Sequence, residues 1–237
     1  MARDFKWSRV LAEGAAIVAS ILLAFAIQAW WEGRAEESIR RATIEGLIAD
    51  FELSQRSLLT FNGSNKRIDL GNAILIELLD SAAPGATVTV PDSLLVSAVN
   101  APVFAPSRAA LDAMLATGRL GLIRDQELRE ALAAWLQRLD QTSAHEVLVR
   151  EIVADQIVPL IGRQTSLAEV HDKVRGWNTR NRSDDFVSVD HTLRADPEIV
   201  AVLAHRKFRL GFVLTGQATL LDLQDQIIQR LHDELER

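Results

Sequence analysis

The 237-residue sequence reads as an all-α protein, an N-terminal single transmembrane helix continuing into an elongated antiparallel helical bundle. Three observations carry that reading. Residues 11–31 form an almost uncharged apolar run, residues 44–79 keep an unbroken seam of three- and four-residue spacing that is mostly apolar, and two later segments near 125–162 and 197–236 repeat the helical period. With 48% hydrophobic and 24% charged residues, the composition is that of a folded chain.

From Leu11 to Trp31 the sequence LAEGAAIVASILLAFAIQAWW has Glu13 as its one charge in 21 positions, long enough to cross a bilayer as a helix. Trp7 precedes the span and Trp30 and Trp31 follow it as interface anchors. At about 1.5 Å per residue, Trp7 and Trp30 lie roughly 35 Å apart, which matches a hydrocarbon core with its interfaces. Arg3, Lys6 and Arg9 crowd the start against a single acid, Asp4, whereas Glu32, Glu36 and Glu37 mix with Arg34, Arg40 and Arg41 after the span. The positive-inside rule then places residues 1–10 in the cytoplasm and residues 32–237 in the periplasm of a bacterial inner membrane. The competing reading is a cleaved signal peptide, since Ala24-Phe25-Ala26 has the small-x-small pattern behind a basic start; the apolar run, however, continues past it.

Within the span, Ala12, Ala16, Ser20, Ala24 and Gln28 recur every four residues with Glu13 beside them on a helical wheel. Small residues let helices approach closely in lipid, so this stripe is a packing face for a homo-oligomer or another envelope protein. The plainer alternative is that alanine is abundant and Glu13 snorkels to the interface.

After Trp31 the helical pattern does not stop. Ile44, Leu47, Phe51, Ser54, Leu58, Phe61, Asn65, Ile68, Asn72, Leu75 and Leu79 form a heptad seam whose phase survives Asn62-Gly63-Ser64, predicting a continuous helix or a kink that keeps register. The run Ala82-Ala83-Pro84-Gly85-Ala86 ends it, and a connector with Pro91, Pro102 and Pro106 follows. Ser107 is positioned to cap a helix that Gly118 stops, and Asp125 to cap the next. That next helix carries Leu128, Leu132, Trp135, Leu136, Leu139, Leu148, Ile152, Ile157 and Leu160 on its core face, with Pro159 as a kink or end. Ser166-Leu167-Ala168-Glu169 has the capping-box pattern, and residues 176–190 read as a polar irregular loop. Asp196-Pro197-Glu198 opens a last helix of about 40 residues. Its apolar residues from Leu210 to Leu221 lie on one face, which argues against a second span.

Function classes fall away in turn. Twenty-six basic against 32 acidic residues leave a net charge of −6, so no positive field exists to hold nucleic acid. Without cysteine there is no disulfide, thiolate nucleophile or zinc ribbon. Phosphate-binding glycine loops and the common hydrolase motifs are absent from the sequence. His171-Asp172, Asp184-Asp185 and Asp190-His191 share one polar region but have no recognised ligand spacing, and His145-Glu146 with Glu151 do not share a helical face; neither is assigned a metal. The polar seam residues Ser54, Asn65 and Asn72 are expected to fix register and oligomer state, or alternatively to line a small polar cavity between helices.

Three stretches carry a family resemblance. They are Glu13 entering the span; Ala24-Phe25-Ala26-Ile27-Gln28-Ala29-Trp30-Trp31-Glu32 leaving it with Asp50-Phe51 beyond; and Ala116-Thr117-Gly118-Arg119-Leu120-Gly121-Leu122-Ile123-Arg124-Asp125 with Leu128. Through them the chain resembles a family of uncharacterised, membrane-anchored bacterial proteins known as domain of unknown function 6090, although Glu13-Gly14 and Thr117-Gly118 stand where such proteins tend to have Gly-Glu and Ser-Gly. The resemblance implies the topology and brings no activity, cofactor or catalytic residue. The expectation is a non-enzymatic interaction or scaffold module in contact with the lipid bilayer. A periplasmic small-molecule-binding bundle that signals through a partner is the alternative.

Overall fold

The structure is a computed structural model that describes residues 7–168, 170–172, 174 and 189–236, with side chains from Val18 onward. It is mostly helical. Helix α1 runs without interruption from Trp7–Asp80, 74 residues or about 110 Å at the standard rise. Strand β1 (Thr87–Pro91), α2 (Asp92–Val99), α3 (Ala109–Ala116) and a 3-10 turn (Arg119–Leu122) form the connector. Helix α4 (Gln126–Ile152) passes through one π turn (Val153–Ile157) into α5 (Val158–Gly162). Strand β2 (Asp190–Arg194) and helix α6 (Pro197–Glu236) complete the order.

The long helices make a three-helix bundle in which α6 runs antiparallel to both of its neighbours. Arg40 of α1 meets Glu234, and Asn72 meets Arg206, so the α1–α6 direction is reversed. On the other side Asp125 meets Arg230 and Glu146 meets Gln217. The apolar seam read from α1 is the seam that packs. Ile44, Leu47, Leu58, Ile68, Leu75 and Leu79 are all at most 2% exposed, and they face α4 and α6 of the same chain. Trp135 is fully buried and stands edge-on to Phe51, with ring centroids 4.9 Å apart.

The three core clusters are stacked along the bundle. At the N-terminal end of α1, Ile44, Leu47 and Phe51 pack with Leu128, Trp135, Ile227 and Leu231. At the far end Leu75, Leu79, Leu95, Ile152, Ile157 and Leu203 form a second cluster. Ile68, Val149, Leu210 and Val213 make a small middle one.

Several local expectations are corrected. The connector pairs with residues 190–194 in a two-stranded antiparallel ribbon, with Thr87 opposite Arg194 and Pro91 opposite Asp190, so Asp190 and His191 sit on a strand, while residues 176–188 of the stretch read as an irregular loop lie outside the described residues. The alternation in Thr87-Val88-Thr89-Val90 was the available signal, since Val90 and Leu193 are buried and their neighbours are not. Ser107 does not cap α3; Arg108 occupies that position without a side-chain cap bond. Instead Asp50 caps it from α1, with Oδ2 accepting from the Ala110 amide at 2.7 Å and Oδ1 from the Ser107 hydroxyl at 2.6 Å. Leu148 is 39% exposed because the buried face of α4 passes through Thr142, Glu146 and Val149 instead.

Asn62-Gly63-Ser64 leaves no break in α1, since Asn62 is buried and bonded across to α6. Asp125 caps α4 through the amides of Glu127 and Leu128, and Asp196 accepts from the Glu198 amide. Pro159 lacks the amide that an α turn would need, and the π turn ends just before it.

Two glycines of the bundle are distinguished by space. A Cβ on Gly216 would overlap Thr142 Oγ1 and stand 3.0 Å from its Cγ2, whereas one on Gly63 would meet nothing. Gly216→Ala is therefore expected to destabilise the full chain by about 1–3 kcal/mol, and Gly63→Ala to stabilise it by about 0.5–1 kcal/mol. Urea unfolding of the purified protein measures both; equal effects would refute the close α4–α6 approach.

Candidate functional site

Helical spacing puts Arg206 on the same face as Leu203 and Leu210, three residues before it and four after, so packing of α6 draws a cation into the interior. Its side chain is fully buried. Nη1 donates to Asn72 Oδ1 at 2.9 Å and to the carbonyls of Ser97 and Ala98 at 2.7 and 2.9 Å, and Nη2 donates to the carbonyl of Asn100. Those carbonyls close the C-terminal end of α2, where backbone acceptors lack intrahelical partners and the helix dipole is negative. The guanidinium is thus neutralised by oriented dipoles, and among the described residues no carboxylate is bonded to it.

Desolvation pulls Arg206 down to about 9, against the pull of Asp69, and at neutral pH it remains a cation. Asp69 itself is taken by Lys207, at 2.7 Å.

Next to this clamp lies a chain of buried polar groups that crosses the bundle. The Asn62 amide donates to Gln217 Oε1 at 3.2 Å, Gln217 donates to Glu146 Oε1 at 3.3 Å, and Glu146 Oε2 accepts the Phe104 amide at 3.0 Å. Burial raises the Glu146 carboxyl above its ordinary value, more than the bonds from Phe104 and Gln217 lower it. Ser54 Oγ accepts from Gln224 at 2.9 Å one step nearer the N-terminal end of the bundle. Asn65 lines a cavity of about 10 Å³ with Asn100, Glu146, Arg206 and Val213, room for at most one water.

The three seam residues thus occupy distinct places. Ser54 and Asn72 bond to α6 of their own chain, and Asn65 borders the small cavity. Sequence reasoning missed Arg206, Gln217 and Gln224, and weighed Glu146 only as a metal ligand. Each interrupts an apolar row at helical spacing, and that interruption was the signal that could have found them.

Of the N-terminal residues, Ser20, Ala24, Gln28, Trp30 and Trp31 are exposed, as is every residue from Val18 to Ile39. Gln28 donates to Glu32 at 2.8 Å, Trp30 and Trp31 meet edge to face at 5.4 Å, and the Arg34 guanidinium lies over Trp30 at 5.4 Å. The side chains of Trp7, Ala12, Glu13 and Ala16 lie outside the described residues. Among the described residues no helix is long and apolar enough to cross a membrane; residues 11–17, the first third of the expected span, have side chains outside that set.

Other candidate positions hold less. Asp184 and Asp185 lie outside the described residues, and among the described residues no three His, Asp or Glu side chains converge as a metal site. His145 stacks on Phe212, with centroids 5.2 Å apart, and His191 lies 3.2 Å from Thr165. An open surface cleft of about 660 Å³ borders the strand ribbon, lined by Arg163, Arg194 and Asp196 among others. No family model, curated protein or solved structure matches this chain.

Arg206→Met would leave Asn72 and three backbone carbonyls without their donor, so it is expected to destabilise the protein by about 3–5 kcal/mol, and Arg206→Lys to recover only part of that loss. A urea midpoint unchanged in Arg206→Met would remove the clamp from the account of stability.

For Glu146 the sign follows from its raised folded value. Its neutral form suits the fold, so the stability it contributes is complete below the unfolded-state value and is lost as pH rises through the folded one. Glu146→Gln escapes that loss, provided Gln217 and Asn62 turn their amides to keep the chain of bonds. The difference in Tm between this variant and the parent is expected to grow in the variant's favour from pH 4.5 to pH 8; a constant difference would contradict the shift.

Proposed function

We propose that this chain is a bacterial single-pass inner-membrane protein whose periplasmic helical bundle serves as an interaction or scaffold module, self-associating or docked on another envelope protein, and that it performs no catalysis. The carrying observation is the bare N-terminal part of α1. Val18, Ile21, Leu22, Leu23, Phe25, Ile27, Trp30 and Trp31 are 50–64% exposed, while the seam that follows on the same helix is buried. A contiguous apolar surface of this kind calls for lipid or a protein partner. Its length, the basic cluster before it and the flanking tryptophans favour lipid, with residues 1–10 cytoplasmic, 11–31 in the bilayer and 32–237 periplasmic.

The interior supports the module reading over the small-molecule sensor. A ligand pocket takes about 300 Å³ or more; among the described residues the cavity between the helices beside Asn65 offers about 10 Å³, and the cleft of about 660 Å³ lies outside the helix seam, open against the strand ribbon. On the outside, Leu59, Leu70 and Phe208 are more than half exposed on the two helices that pack most extensively. The expected outcome of fusing alkaline phosphatase after Arg237 is an active reporter in cells whose intact protein retains residues 1–31 by mass. Fluorescence from a cytoplasm-only reporter at the same position would overturn the orientation, and a shortened N-terminus would overturn the anchor.

A further inference from the structure

We propose that the open cleft beside the strand ribbon binds a carboxylate of an acidic peptide segment between Arg163 and Arg194; as the docking point of a partner, it deepens the interaction-module reading above and rests on it. The cleft lies where the helices end. Gly85 follows the last residue of α1 by five positions, Arg163 follows α5 directly, and Pro197 opens α6, which puts the cleft at the end of the bundle remote from the exposed apolar part of α1. Its volume of about 660 Å³ is of the size that binding clefts have, about 300–1,000 Å³. The walls stand before any ligand arrives. Arg194 is opposite Thr87 in the ribbon, and the alternation that buries Leu193 turns Thr87, Thr192 and Arg194 outward. The Gly85 amide donates to the Ala195 carbonyl and the Ala195 amide to the Ala86 carbonyl, both at 2.8 Å. Gln164 Oε1 accepts the Arg194 amide at 2.6 Å, which ties the chain after α5 to β2. Backbone held on both sides in this way fixes the stems of the two arginines, and a preformed site loses less freedom on binding.

Both guanidiniums are uncommitted. Among the described residues neither Arg163 nor Arg194 has an ion pair, whereas Arg40, Arg108, Arg124 and Arg230 each have a carboxylate partner. The one carboxylate among the lining residues is Asp196, whose Oδ1 accepts the Glu198 amide at 2.8 Å at the start of α6. Two cations against that one anion leave a single positive charge. It matches one carboxylate, which a guanidinium meets with paired donors in its own plane, and it falls short of a phosphate dianion. The remaining lining favours a peptide over a free organic acid. The hydroxyls of Thr87 and Thr192 and the side chain of Gln164 can serve the amides of a polar chain, there is no aromatic wall of the kind that holds small ligands, and the volume is several times what one carboxylate fills.

The test removes the two cations together, as Arg163→Gln with Arg194→Gln. Both side chains are exposed, so the variant keeps the fold, and an unchanged Tm checks it. Arg41→Gln with Arg56→Gln makes the same change in net charge on exposed arginines of α1 and is the control. Full-length protein is titrated into a fluorescein-labelled peptide of alternating glycine and glutamate, or into its glycine and glutamine counterpart, and anisotropy is read. The glutamate peptide is expected to bind and the glutamine peptide not to, with binding at least about tenfold weaker in the cleft variant and within about twofold of the parent in the control. Equal binding by parent and cleft variant, or no binding by the parent, would overturn the site. Displacement of the peptide by an equimolar amount of free glutarate would overturn the peptide as occupant, since a small acid would then fill the cleft as well. None of these results depends on the anchor, whose failure would show in the phosphatase fusion.

Discussion

The bundle is organised around a cation that has nowhere to go. Arg206 lies between Leu203 and Leu210 on the buried face of α6, and once those leucines pack, the guanidinium must find its hydrogen bonds inside. It finds them on the backbone. Three carbonyls at the end of α2 and the side chain of Asn72 converge on it, so one residue of the last helix fixes the end of a connector helix and the C-terminal part of the first. Apolar rows alone would tolerate a slide of one helix past another by a turn. A slide here would strip the guanidinium of its acceptors, at a loss of a few kcal/mol in a low-dielectric interior.

Other interactions repeat this logic at intervals along the bundle. Ser54 with Gln224, Asn62 with Gln217 and Arg40 with Glu234 pair α1 and α6 in one consistent antiparallel register. Between α4 and α6 the same role falls to Glu146 with Gln217, and to the close approach of Thr142 on Gly216. Specific polar pairs of this kind break an otherwise interchangeable set of leucine and isoleucine layers. They also fill the middle of the bundle, which is why Asn65 borders a space the size of a water and no larger. Specifying register and opening a ligand cavity are competing uses of the same interior positions.

How much of this was legible in the sequence depends on the range of the interaction. The three long helices, the caps at Asp125 and Asp196 and the buried row of α1 follow from local spacing, and the structure has them. What escaped depends on contacts distant in sequence. Asp50 caps a helix 60 residues later and has no local signature, and β1 pairs with a strand about 100 residues away, so the alternation in residues 87–90 could not name its partner. Helical spacing of the leucines predicts Leu148 in the core, and the fold buries Glu146 and Val149 instead because Gln217 and the Phe104 amide are there to satisfy the carboxylate. A polar residue at a heptad core position reads from sequence as noise until its partner is known.

The continuity of α1 constrains how a partner could be felt. Asn62-Gly63-Ser64 would be the natural place for a hinge, yet it is helical, with Asn62 tied to α6. The polar pairs further along α1 and α6 then oppose sliding between the helices. At the base, hydrogen bonding to Arg40 holds the Glu37 carboxyl below its usual range, and Arg40 also bonds the Glu234 carbonyl. A load on residues 18–39 therefore reaches the bundle first through Arg40, Glu37 and Arg124, and only then through the apolar seam. Under the proposed anchoring, a partner that tilts the span would tilt the bundle as a body, because bending α1 would break helix hydrogen bonds and pull a buried arginine from its acceptors. Transmission by a rigid lever fits a scaffold, whose surface is presented to a neighbour at a fixed height and orientation, better than it fits a sensor that must rearrange inside to report.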